Sequence, residues 1–185
     1  MSALVSSFDR TKIGDFDYLF FVVTWADYVT PITEQINTQV DPFGSDLGLK
    51  GMVVRAFNTA SYETASEVTT KDWPKEIRER FEMEQDPFMV IINKDFHEFD
   101  PKKHPWSIIW FSEYENNPDR IYKIFGQLAR KTRKGENIFQ YLHSIASKKK
   151  LSKWNKYFEI KPELYGVSID VKAIFEDVMG IGNDP

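Results

Sequence analysis

Tyr18-Leu19-Phe20-Phe21-Val22-Val23-Thr24-Trp25 is an unbroken run of β-branched and aromatic residues. An unbroken run, unlike an alternating one, suits a central strand buried on both faces. Phe88 to Ile92 and Trp106-Ser107-Ile108-Ile109-Trp110-Phe111 have the same character, so the chain is expected to be α/β, with helices flanking one sheet. Its 185 residues suit one domain with an extension, and an aromatic content of 15% supplies large pieces of buried area.

Between the strands the period changes. Ile32, Ile36 and Val40 share a helical face, with Thr30 placed as N-cap and Pro31 in the first turn; this helix is expected to end near Pro42-Phe43-Gly44. Met52 to Phe57 reads as a short strand, and Asn58 to Lys71 as a long loop or an ill-defined helix. Asp72 is the expected cap of a helix that carries Trp73, Ile77 and Phe81 on one face. After the strands at Phe88 and Trp106, Ile121, Ile124, Phe125 and Leu128 predict a further helix, giving the order βαβαββα with Tyr18–Trp25 as the first strand. Ile138, Phe139, Leu142 and Ile145 predict another helix, and Val171, Ile174, Phe175, Val178 and Met179 a last one. The expected division is therefore residues 1–132 as the α/β domain and 133–185 as a helical extension, basic and then acidic, packed on it.

The segment Trp25-Ala26-Asp27-Tyr28-Val29-Thr30-Pro31-Ile32 at the end of the first predicted strand resembles the redox turn of thioredoxins, with Val29 and Ile32 where the two cysteines would lie. Pro87, directly before the strand at Phe88, resembles the cis-proline of that family. The resemblance implies a thioredoxin-like sheet over roughly residues 16–130, with Trp25, Tyr28 and Pro87 around a groove that takes an extended polypeptide. A doubly wound sheet of the flavodoxin or TIR type begins in the same way; it needs a crossover after Ile92, where Asp100-Pro101 and His104-Pro105 resist helix. The chain holds no cysteine, so thiol–disulfide exchange has no nucleophile.

Two further groupings carry chemistry. Asp95, His97, Glu98, Asp100 and His104 fall within ten positions, with Lys102 among them; a polar hairpin loop is the simpler reading, and a metal-dependent phosphodiesterase site through Asp95, His97, Asp100 and His104 the alternative. Glu113 would be the acting glutamate of a TIR-like nucleotide-processing domain, which requires residues 106–113 to be helical. The second grouping is electrostatic: the net charge is −4, yet residues 119–156 hold eleven basic against two acidic side chains. Arg130, Arg133 and Lys134 close one predicted helix and Lys148, Lys149 and Lys150 the next, with Lys153 and Trp154 beyond. Such an island suits an acidic protein surface, including that of another copy, and less well nucleic acid, given the acidic remainder. Phosphate-binding glycine loops, the G-x-S-x-G elbow and H-E-x-x-H are absent. The expected function is a non-catalytic interaction or scaffold module, cytoplasmic, without a cofactor and without a membrane segment.

Overall fold

The computed structural model describes residues 1–24, 30–56, 61–83, 86–111, 118–150, 166–170 and 174. A six-stranded mixed sheet is built from β1 (Ser2–Val5), β2 (Tyr18–Val23), β3 (Gly51–Ala56), β4 (Phe88–Ile92), β5 (Trp106–Trp110) and β6 (Gly166–Asp170) in the order β1-β3-β2-β4-β5-β6. β1, β3 and β2 run parallel to one another, β4 is antiparallel to both β2 and β5, and β6 is parallel to β5. Five helices occur among the described residues: α1 (Pro31–Leu47), α2 (Ser61–Thr69), α3 (Lys75–Met83), α4 (Pro118–Arg133) and α5 (Ile138–Lys150).

The period of two in the strands sorts the unbroken runs into two cores. Phe20, Val22, Met89, Ile91 and Ile109 face one side, where Ile36, Val40 and Phe43 of α1, Ile124 and Leu128 of α4 and Leu142 and Ile145 of α5 cover them. Leu19, Phe21, Val23, Val90, Ile92, Ile108 and Trp110 face the other, under Val68 of α2 and Trp73, Ile77 and Phe81 from the α3 region. Helices therefore cover both faces of a central sheet, as the runs require.

Several boundaries differ from the sequence reading. Tyr18–Val23 is the second strand, because Ser2-Ala3-Leu4-Val5, too short to register as a run, already pairs with β3. α1 has the Thr30–Thr33 capping box and the first-turn proline that were expected, but it continues through Pro42 to Leu47; Phe43 and Leu47 gain burial there, and the chain leaves the helix at Gly48 (φ 64°). The ambiguous stretch is helical from Ser61. Asp72 does not cap α3: Ile77 and Arg78 donate to the Pro74 carbonyl, and Asp72 pairs with Lys102 instead. The Asp86–Pro87 peptide is not cis.

The C-terminal extension is not wholly helical, since Gly166–Asp170 joins the sheet as an edge strand. Gly166 sits under the buried Trp106 ring; a Cβ there would fall 1.9 Å from the indole. After Ile92 only a short 3-10 turn (Phe96–Glu98) intervenes before β5, and β5 is a strand. This excludes the doubly wound sheet and the helix at 106–113 that a TIR-like use of Glu113 needs; Glu113 itself lies outside the described residues.

Two glycine substitutions should separate these effects in urea unfolding. Gly166→Ala is expected to destabilise by about 1–3 kcal/mol through overpacking on Trp106. Gly126→Ala, inside α4 with nothing within 4 Å of the added methyl, should stabilise by up to about 1 kcal/mol.

Candidate functional site

Three places were expected to carry function, and the structure treats them differently. The first is the carboxyl end of β2. Trp25, Tyr28 and Val29 lie outside the described residues. Ile32 is buried in the first turn of α1 and belongs to the core beneath it. Pro87 is also buried, and its carbonyl accepts a hydrogen bond from the Phe111 N–H at 3.0 Å.

The second place is the β4–β5 connection, where the five clustered ligand types separate into two groups. Asp95, His97 and Glu98 hold their ligand atoms within 4.8 Å of one another; Asp100 and His104 are not part of that group. Asp95 is already occupied. One carboxylate oxygen accepts the Ile13 N–H at 2.7 Å and the other meets the Lys12 ammonium at 3.1 Å, while Phe96 N–H donates to the Thr11 carbonyl. These contacts fasten the segment after β1 onto the connection, and Phe8 from that segment packs edge-on against Phe21 and Phe96. The Ile13 N–H, followed by Lys12, holds the Asp95 carboxyl below its ordinary value. A metal at this group would share the Asp95 oxygens with an ammonium, which opposes a second cation.

Asp100 and His104 form a separate turn. The Asp100 carboxylate takes the Lys103 ammonium at 2.8 Å and the Lys102 N–H at 2.9 Å, and these two contacts hold its carboxyl below the usual range. His104 Nδ1 accepts the Asp100 N–H at 3.0 Å, so that nitrogen is occupied by the backbone. Both residues are spent on shaping the loop.

The third place is the basic island, of which the structure describes residues 119–150. Arg130 and Arg133 lie exposed on the last turn of α4 and Lys134 is exposed directly beyond it, before Gly135 (φ 71°). Lys148, Lys149 and Lys150 close α5, whose 13 residues put them about 20 Å along the axis from its start. Lys153 and Trp154 lie outside the described residues. Lys131 is withdrawn from the island: it bonds Glu136 at 2.6 Å and its ammonium stands 4.3 Å from the Tyr141 ring centroid. Arg133 and Lys134 make no side-chain hydrogen bond or ion pair among the described residues, while Arg130 bonds Gln127.

Sequence reasoning missed Lys12, Ile13 and Glu67. Glu67 accepts from both Ser7 Oγ and the Phe8 N–H at 2.5 Å, and such pairings 59 to 82 residues apart leave no local spacing to read. Comparison of the chain with protein-family models, with curated proteins and with solved structures finds no match.

The Asp95 tether has a pH signature. Its folded carboxyl titrates below the ordinary 3.8, so its stabilisation is complete above that value and is lost as pH falls through the folded one. Asp95→Ala is expected to cost about 1.5–3 kcal/mol at neutral pH. Asp95→Asn keeps the Ile13 acceptor and should cost less, with a flatter loss of stability in acid; denaturant midpoints measured from neutral to acidic pH check both.

Proposed function

We propose that the protein is a non-catalytic interaction module on a cysteine-free, thioredoxin-like scaffold, and that its contact face is the cationic last turn of α4. The element order supports the scaffold reading: β2, α1, β3, the helices α2 and α3, then β4 and β5 paired antiparallel without a helix between them and α4 after them, is compatible with the βαβαββα order that the resemblance implies. The contact reading rests on one observation. Of the candidate acid–base groups, Asp95, Asp100 and His104 are held by internal hydrogen bonds and His97 Nε2 lies 3.6 Å from the Glu98 carboxylate, whereas Arg133 and Lys134 stand exposed and make no side-chain hydrogen bond or ion pair among the described residues.

Exposed cations of this kind contribute little to folding, about 0–1 kcal/mol per pair at most. Their field accelerates encounter with a surface of opposite sign. The preferred partner is an acidic protein surface, because the flat phosphate track of a nucleic acid would need a longer continuous cationic stripe than one helix turn offers. No helix among the described residues is long and apolar enough to cross a membrane.

A fluorescently labelled poly-glutamate peptide and a single-stranded oligonucleotide serve as probes. The peptide is expected to bind wild-type protein at low salt, to weaken as salt rises, and to lose about tenfold or more in affinity in Arg133→Glu/Lys134→Glu. Equal peptide affinity in the charge-reversed variant, or stronger binding of the oligonucleotide, would overturn this assignment. A thermal-shift series with Zn²⁺ and Mn²⁺ addresses the enzymatic alternative. A rise in midpoint that vanishes in His97→Ala or His104→Ala would replace the non-catalytic reading with a metal site; the tethered Asp95 predicts no such rise.

A further inference from the structure

We infer that β1 is a self-association edge, at which a second copy of the chain adds antiparallel across β1 to extend the sheet. The inference is independent of the cationic face.

β1 ends the strand order, so one side of it pairs with β3 and the other side has no strand among the described residues. The bonding pattern on that outer side follows from the parallel ladder. The Met1 carbonyl accepts the Val53 N–H at 2.8 Å, and the Met1 ammonium, which donates to the Gly44 carbonyl of α1, also lies 3.5 Å from the Gly51 carbonyl; with Ser2 in register with Val53, Met1 stands at a β3-bonded position. A parallel ladder alternates residue by residue. Ala3 and Val5 therefore also bond β3, and Ser2 and Leu4 direct their N–H and C=O groups outward.

Two such residues separated by one are complementary to themselves when the strand is reversed. An antiparallel copy centred on Ala3 sets Ser2 against Leu4 of the other protomer twice, and each of these pairs exchanges two hydrogen bonds. Edges are usually blunted by Lys, Pro, a bulge or a cover. Ser2-Ala3-Leu4-Val5 contains no charge, proline or glycine.

The surroundings match. Five large apolar or aromatic side chains are exposed among the described residues, and three of them, Met1, Leu4 and Leu49, belong to this edge and to the turn that leads into β3. The flanking charges are complementary across the two-fold axis. Asp41 bonds Ser2 Oγ at 2.7 Å, and Arg55 is paired in register with Leu4. Reversal places the Leu4–Arg55 row of one copy against the Ser2–Asp41 row of the other. Within one chain Arg55 already pairs with Asp41 at 3.5 Å, and the reversed copy would bring a second Arg55–Asp41 pair alongside it.

A four-residue edge gives a weak, concentration-dependent dimer. Because the chain holds no cysteine, a single introduced thiol reports the register. Ala3 would face Ala3 of the other copy in the non-hydrogen-bonded position, with Cα atoms about 4.5 Å apart, within the range of about 4.4–6.8 Å that a disulfide accepts. Under mild oxidation Ala3→Cys is expected to form a covalent dimer faster than Tyr122→Cys, an exposed position on α4. Equal rates for the two, or no cross-linking of Ala3→Cys, would overturn the inference. Sedimentation equilibrium provides a second reading: Leu4→Lys should weaken dimerisation about tenfold or more without a change in thermal midpoint, and a wild-type chain that stays monomeric up to its solubility limit would equally overturn it.

Discussion

The constraint on which the rest depends is the double-sided burial of β2, β4 and β5. From Leu19 to Val23 and from Phe88 to Ile92 every side chain is buried, so neither face of the sheet can be left to water. At about 25 cal/mol per Å² of apolar surface, uncovering one face would cost more than a domain of this size has to spare. Two helical layers are therefore obligatory, and polar chemistry is pushed to the sheet edges, the connections and the helix ends. Asp95 lies in a connection, Arg133 at a helix end, and Ser2 and Leu4 on an edge.

One face is held largely by aromatic rings, and their polar atoms determine where the connections run. Trp73 stacks edge-on against Trp106 with centroids 5.1 Å apart, and Phe81, Phe88 and Trp110 continue the cluster. A buried indole N–H needs an acceptor, and each of the three finds one outside its own element. Trp73 donates to the Val68 carbonyl at the end of α2, Trp106 to the Pro101 carbonyl in the β4–β5 connection, and Trp110 to Ser168 Oγ in β6. The helix end, the loop and the edge strand are thereby fixed by the same rings that fill the core. β6 shows the coupling well: Ser168 answers Trp110, and Gly166 makes room for Trp106.

What could be read in the sequence follows from how local each signal is. The strands at Tyr18, Phe88 and Trp106 and the capped start of α1 are written in adjacent residues, and their types and approximate positions were legible. β1 and β6 were not. Ser2–Val5 and Gly166–Asp170 are short edge segments whose strand character comes from partners 50 to 60 positions away, Val53 to Ala56 for one and Trp106 to Trp110 for the other. Pro42 misled in the opposite sense, because the propensity cost of a helical proline is outweighed when Phe43 and Leu47 reach the core one turn later. Strand alternation would set Asp95, His97 and Phe99 against Phe96, Glu98 and Asp100, but the 3-10 turn buries Phe96 and Phe99 together and brings Glu98 to Asp95 and His97, and only contacts with Lys12 and Ile13 reveal that Asp95 is a tether.

The charge pattern shows what a composition count leaves out. A count over residues 119–156 gives a single basic island, yet charge acts through distance and partners. α5 sets the lysine run about 20 Å along its axis from its own start, and Lys131 is neutralised by Glu136 beside a tyrosine ring. Among the described residues Arg130, Arg133 and Lys134 stand exposed at the end of α4, and under the proposed function they are the field source that orients an acidic partner. The edge at β1 is the reverse case: it contains no charged residue and attracts no attention in a composition profile, but its outward N–H and C=O groups, which no strand meets among the described residues, are directional and repeat at the spacing of a strand. A charged surface can accept many partners of opposite sign, whereas an edge accepts only backbone in register. If both surfaces act, the first sets how quickly a partner is met and the second sets how copies of the chain are aligned when they meet it.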